Sequence, residues 1–310
     1  MKLANILLEQ NTKPKALIMS GGGGSGKSYI LSKINTGNLP LYNPDSYVED
    51  PNSSMFGNLA AASTQTKKDV ADAVDDRKSF IFDTTGRNID MIRSIKEAGY
   101  DVLVVMVYTH PIISFLSNFE RKRSLPKSAV FSTWQQSYDL VDDYRRLLKN
   151  NFILVSNLRG GEYEKKIKDF NKAAEKGGKG ILQYLDSIVS MNPEKYQTSF
   201  SKDFDISDPE ALEAYNKEVE GLKFDETDSS MVKQLKRHFM KSWNAKNIGP
   251  GRKSMNTRIK GIERTRNKAA ERHGKVMNDI AKMVLSSKFN KMLNPLPQSE
   301  AIFKANQFLK

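Results

Sequence analysis

The chain of 310 residues has no cysteine. Disulfides and thiolate metal centres are therefore excluded, and stability has to come from a packed core. Histidine is scarce as well: His110, His238 and His273 lie far apart in sequence, a poor basis for a zinc site. No apolar run approaches the roughly 18 residues of a membrane span. The first ten residues lack the long apolar stretch and small-residue cleavage site of a secretory signal. No fixed-period repeat is visible. Together these absences predict an intracellular, cytoplasmic protein with no membrane partner, or a virion-associated one if its source is viral.

Acidic residues are also scarce in one place. Residues 231–310 hold 19 Lys and Arg against 4 Asp and Glu, and so carry the whole of the net +13 and more. Just before them, residues 192–230 hold 11 acidic residues against 4 Lys. A sign change of this kind marks a boundary between structural units. The length exceeds what one typical core needs. We therefore expect a domain over 1–160, a helical and acidic linker region over 161–230, and a basic helical region over 231–310.

The first half alternates strand and helix signals. Apolar runs at 16–20, 39–42, 79–82, 102–108 and 152–155 read as strands, with the run at 102–108 the most apolar and so central. Helical spacing falls at 26–34, 66–78, 89–98, 111–121 and 128–149, the last expected as one long amphipathic helix. Gly99 reads as a helix C-cap, and Pro111 sits in a first turn. This order predicts an α/β fold: a parallel five-stranded sheet with helices on both faces, followed by a mostly helical C-terminal extension. Past residue 160 the strand signal ends. Residues 162–176 and 180–190 read as helices parted by Gly177-Gly178, and 231–243 and 254–285 as helices parted by Gly249-Pro250-Gly251.

One motif carries chemistry by itself. Gly21-Gly22-Gly23-Gly24-Ser25-Gly26-Lys27-Ser28 satisfies G-x-x-x-x-G-K-[ST] at every fixed position, between a strand and a helix. Glycines let backbone N–H groups turn inward around phosphates, and the following helix presents its positive end to the same anion. Lys27 is expected at the β- and γ-phosphates of ATP or another nucleoside triphosphate, and Ser28 on Mg²⁺. Three shorter pieces follow. Asn43-Pro44-Asp45 comes after the second strand, where Asp45 could accept a proton from an attacking hydroxyl or be part of an Asx-Pro turn. Asp83-Thr84-Thr85 comes after the third strand, where Asp83 could hold Mg²⁺ or cap the helix that begins near Asn88. Glu120-Arg121-Lys122-Arg123 ends a helix, where Arg121 and Arg123 could form a lid over the phosphates or answer the helix dipole.

In this order the pieces resemble the zeta-toxin and polynucleotide-kinase-like P-loop kinases. The residues that carry the resemblance are Ser25 to Ser28, Asn43-Pro44-Asp45, Asp83-Thr84-Thr85, and Arg121 and Arg123 with Pro126, within residues 16–156. The resemblance implies that Asp45 is the general base and that lid arginines grip ATP phosphates. Arg121 and Arg123 are closer together than such arginines often are. The family phosphorylates polynucleotide ends, nucleotide sugars and small metabolites, so the resemblance does not choose an acceptor.

Nine basic residues lie between Arg252 and Lys275. That density suits a polyanion such as nucleic acid, or a docking face for the acidic 192–230 segment. Trp243 and Phe239 are available to stack on bases or to pack their helix. Two readings follow. One is an ATP-dependent kinase acting on a hydroxyl acceptor. The other is a nucleic-acid-binding or virion assembly protein that retains a P-loop with little turnover. A motor ATPase is disfavoured, because no second acidic residue stands beside Asp83.

Overall fold

The computed structural model describes residues 13–50, 53–54, 59–121, 124–192, 195–196 and 252–310, with the backbone alone for residue 60 and most of 252–269. By their contacts the residues fall into two compact units. The first comprises 1–114, 133–167 and 286–310, and the second 115–132 and 168–285.

The first unit is built on a sheet of five parallel strands: β1 (Lys15–Ser20), β2 (Leu41–Tyr42), β3 (Phe80–Asp83), β4 (Asp101–Tyr108) and β5 (Phe152–Ser156). Their order in space is β2-β3-β1-β4-β5. The chain steps from β1 outward to β2 and β3, then crosses to β4 on the other side. The reversal of direction thus lies at the C-terminal end of β1, where open α/β sheets form their ligand crevice. Register places Met19 against Asp83 and against Val105, so the ends of β1 and β3 lie at one level while β4 runs on past them to Tyr108.

Alternation along the strands explains both covered faces. Leu17, Met19, Ile81, Leu103, Val105, Val107, Ile153 and Val155 form one buried face. Against it pack Ile30 and Ile34, from and just past α1 (Lys27–Leu31), and Ala301 and Ala305 of a helix at 298–309. On the opposite face, Tyr108 touches Trp134 and Tyr138, and Phe152 stacks on Tyr144. The other helices up to residue 148 are α2 (Pro44–Val48), α3 (Leu59–Asp75), α4 (Ile89–Glu97), α5 (Pro111–Asn118), α6 (Lys127–Tyr138) and α7 (Val141–Leu148).

The single helix expected over 128–149 is therefore two helices, with a turn at Asp139-Leu140. The buried positions 134, 138, 141, 144 and 148 keep helical spacing across the turn, so periodicity conceals it. Asp142 and Asp143 stand in the first turn of α7, where carboxylates favour a helix N-terminus. The helix expected over 26–34 is shorter, and the one expected from residue 66 begins at Leu59.

After β5 come α8 (Glu162–Ala174), α9 (Gly177–Met191), α10 (Arg252–Leu285), α11 (Ser287–Leu293) and α12 (Gln298–Leu309). Gly177 and Gly178 open α9 rather than standing between helices. A Cβ at Gly178 would lie 2.6 Å from Asn278 N, so this glycine allows α9 and α10 of the second unit to approach. Gly178 N donates to Asn278 Oδ1 at 2.8 Å. The chain re-enters the first unit at residue 286; there the Leu296 N–H donates to Leu154 O at 2.7 Å, and α12 then covers the sheet. Of the remaining sequence expectations, 192–230 (two short stretches apart), the helix over 231–243 and Arg123 lie outside the described residues.

Candidate phosphate-binding site

The loop between β1 and α1 follows the central strand end. Gly21 has φ +137°, and a Cβ there would lie 2.5 Å from Val107 O, so no other residue allows the loop to pass so close to β4. Gly26 is the N-cap of α1, with φ +89° in the left-handed region. A Cβ there would lie 2.1 Å from Asn157 Nδ2. Gly23, at the crown, has open space where its Cβ would be.

Lys27 folds back over this loop. Its Nζ donates to Gly21 O at 3.0 Å and to Gly22 O at 3.4 Å. It also stands 3.9 Å from Asp83 Oδ1, a long ion pair between two side chains that are 14% and 8% exposed. A cation curled onto the carbonyls of a glycine loop is placed to exchange those carbonyls for phosphate oxygens. Ser28 is exposed in the first turn of α1.

Asp83 closes β3 and is 7% exposed. The helix cap that local sequence also allowed for it belongs to Asn88, whose Oδ1 accepts from Met91 N. Thr84 N donates to Met19 O at 2.9 Å, which fixes the chain as it leaves β3 beside β1. Asn43 Nδ2 approaches Asp83 Oδ2 at 3.5 Å. The same Asn43 caps α2 by accepting from Asp45 N at 2.9 Å, and Pro44 takes the first helical position. The Asx-Pro turn and the placement of Asp45 are thus one arrangement: a single amide side chain joins Asp83 to the turn that carries Asp45. The following helix is held by Tyr47, whose hydroxyl donates to Asp69 Oδ2 at 2.6 Å. That hydrogen bond, with some burial, pushes the Tyr47 phenol up to about 12. Gln65 donates to the other oxygen of Asp69 at 2.7 Å.

Side chains that sequence reading did not single out support the two loops. Trp134 Nε1 donates to Thr109 O at 2.8 Å, and Tyr138 donates to Val107 O at 2.6 Å. Gly22 lies over Trp134, with a Cβ position 3.1 Å from Trp134 Cα. Ser114 Oγ donates to Gly23 O. Ser137 Oγ donates to Thr85 O at 2.7 Å, and Tyr144 donates to Gly86 O at 2.9 Å. Burial pushes the Tyr138 and Tyr144 phenols well above their usual value, so both are protonated donors. Nothing in local sequence distinguishes Trp134, Tyr138 and Tyr144 from ordinary core aromatics.

The lid is not assembled among the described residues of this unit. Arg121 is exposed, just past α5, and belongs to the second unit, while Arg123 lies outside the described residues. A separate concavity of about 610 Å³ lies by the N-terminal ends of β1 and β3, between the 35–39 loop and α12, and includes no P-loop residue.

The oxygen donors here suit a hard divalent cation. Ser28 supplies a hydroxyl and Asp83 a carboxylate, and Mg²⁺ takes few protein ligands because phosphates and waters complete its shell. Among the described residues no group of three or more His, Asp or Glu offers an all-protein cage.

Residues 2–129 match the family described as Zeta toxin. No curated protein matches the chain. Among solved structures it is similar to a chain of the AvrRxo1-ORF1:AvrRxo1-ORF2 complex with ATP, at 16% identity and TM-score 0.39 over 52% of this chain and 59% of that one. It is also similar to a chain from the PezAT toxin–antitoxin system of Streptococcus pneumoniae, at 17% identity and TM-score 0.35 over 50% and 76%. A gluconokinase from Sinorhizobium meliloti 1021 gives 12% identity and TM-score 0.33 over 59% and 99%. The chain thus spans about three fifths of the length of the AvrRxo1 chain it matches. Among the described residues no helix is long and apolar enough to cross a membrane. Through the family match, the segment that holds the P-loop, Asp45 and Asp83 is similar to the zeta toxins, which are P-loop kinase-like phosphotransferases.

Proposed function

We propose that this chain is an ATP-dependent kinase that transfers the γ-phosphate to a hydroxyl acceptor. The observation that carries the reading is the chain of contacts Lys27–Asp83–Asn43–Asp45, which links the segments that follow β1, β3 and β2 and supports Lys27 as the phosphate-binding cation and Asp45 as the base. The glycine loop and Lys27 bind the β- and γ-phosphates. Asp45, half-buried in the first turn of α2, accepts the acceptor's proton as its oxygen bonds to the γ-phosphorus and the bond to the bridging oxygen of ADP breaks. Ser28 and Asp83 would hold Mg²⁺, which when bound neutralises charge on the phosphate oxygens. Arg121 and Arg123 are the candidates for a lid. The family match and the strand-end placement of Asp45 support phosphoryl transfer over a P-loop retained without turnover. A polynucleotide end is the acceptor that the basic residues of α10 would recruit, and Lys268, Arg272 and Lys275 on that helix are exposed.

Asp45→Asn tests the base. It keeps the size and a polar group but loses proton affinity, so transfer should fall by about 100-fold or more while ATP affinity stays within about twofold. The measurement is γ-phosphate transfer across polynucleotide, nucleotide-sugar and polyol panels, beside ATP titration. Transfer at the wild-type rate in Asp45→Asn removes Asp45 from the mechanism.

A further inference from the structure

Asn157 is the first residue past β5, two strands away from the P-loop strand, and it is 8% exposed. Three hydrogen bonds fix it. Its main-chain N–H donates to Tyr108 O at 2.7 Å, and its carbonyl accepts from Thr109 Oγ1 at 2.8 Å. Its side-chain Nδ2 reaches over the tip of β4 and donates to Ser25 O at 2.9 Å, inside the phosphate loop and 132 residues earlier in the chain. Gly26 makes the approach possible, since a Cβ there would lie 2.1 Å from Nδ2 and 3.3 Å from Cγ.

In a trans peptide the C=O and the following N–H point in opposite directions. If the Ser25 carbonyl is held toward Asn157, the Gly26 N–H is held the other way, toward the hollow side of the loop. We infer that Asn157 is a positioning residue for the phosphate loop: its amide sets the Ser25–Gly26 peptide so that Gly26 N–H faces the phosphates of a bound nucleoside triphosphate. The inference rests on the nucleotide-binding reading above and adds to it a residue far outside the motif. It also gives the motif's last glycine a second duty. Gly26 provides the left-handed N-cap and leaves the space that the Asn157 amide fills.

The isosteric variant Asn157→Asp separates orientation from packing. An ionised carboxylate opposes the Ser25 carbonyl and turns the peptide, whereas a protonated carboxyl donates as the amide did. The ratio of variant to wild-type Kd for MgATP should therefore rise with pH, from near one in acid to about tenfold or more once the carboxyl ionises. Burial places that rise above the usual carboxylate range. Asn157→Ala, which removes the donor without adding charge, should weaken MgATP about tenfold at every pH. Calorimetric titration of the full chain from pH 5 to 9 reads all three proteins, and the ratio cancels the protonation of ATP itself. A flat ratio for Asn157→Asp, or wild-type affinity in Asn157→Ala, overturns the inference while leaving the kinase reading intact. A wild-type chain that does not bind MgATP overturns both.

Discussion

His273 shows how far one residue can make stability depend on pH. It lies on α10 of the second unit, with both ring nitrogens buried and no hydrogen-bond partner among the described residues. Burial lowers its pKa from 6.5 to about 4, Lys127 adding to the effect and Asp186 opposing it. Those two side chains pair with each other at 2.7 Å, so neither is offered to the imidazole alone. In the pH range 4 to 6.5 the unfolded chain binds a proton that the folded one refuses, so stability rises with pH there and is lost as pH falls. Taking pH from 7 to 5 should cost on the order of 2 kcal/mol, and His273→Leu should flatten that part of the profile. Thermal unfolding of both proteins across pH 4 to 8 measures it, and parallel profiles would show that another group is responsible. At the same scale, the phosphate site was only partly legible in sequence. Glycine spacing reveals the loop, because Gly21 and Gly26 hold positive φ where a Cβ has no room. Asn157 is an ordinary asparagine until the fold brings it to Ser25, and Asn43, legible in sequence as part of the Asn43-Pro44-Asp45 turn, gains its link to Asp83 only in the fold.

At the scale of elements, the strands were the most legible part, since a strand buried on both faces reads as an unbroken apolar run. All five expected strands are present in one parallel sheet. Helix ends were less legible, and the break between α6 and α7 was concealed because the buried positions keep helical spacing across it. Least legible was α12. Its residues follow a strongly basic stretch, yet Ala301 and Ala305 are fully buried against Leu17, Val105 and their neighbours. Two alanines four residues apart let the helix backbone approach the sheet closely. Ala305→Leu should overpack this contact and destabilise the chain by about 1–3 kcal/mol, lowering Tm without changing the P-loop sequence. Chemical denaturation of the variant checks this, and an unchanged midpoint would mean that α12 is not part of the cooperative fold.

For the whole molecule, the proposed kinase reading turns on which hydroxyl would receive the phosphate, and charge distribution supplies the sharpest test. The positive excess is concentrated in residues 231–310, whereas the unit carrying the phosphate site draws mostly on residues outside that stretch. If the basic residues of α10 recruit a polynucleotide acceptor, the affinity is set by phosphate neutralisation and counterion release, with little sequence preference. A contact with about six phosphates predicts a loss of roughly a thousandfold in affinity between 50 and 200 mM salt. Replacing the exposed Lys268, Arg272 and Lys275 by glutamate should shallow the log–log salt slope by about three on duplex DNA. Fluorescence anisotropy of the full chain with single-stranded and duplex oligonucleotides reads both quantities. The kinase assay on 5′-hydroxyl ends then tells recruitment from accidental attraction, since only a recruited acceptor loses phosphorylation in step with binding. Absence of binding at 50 mM salt would leave a small, weakly charged acceptor as the better expectation for the crevice beside Asp45.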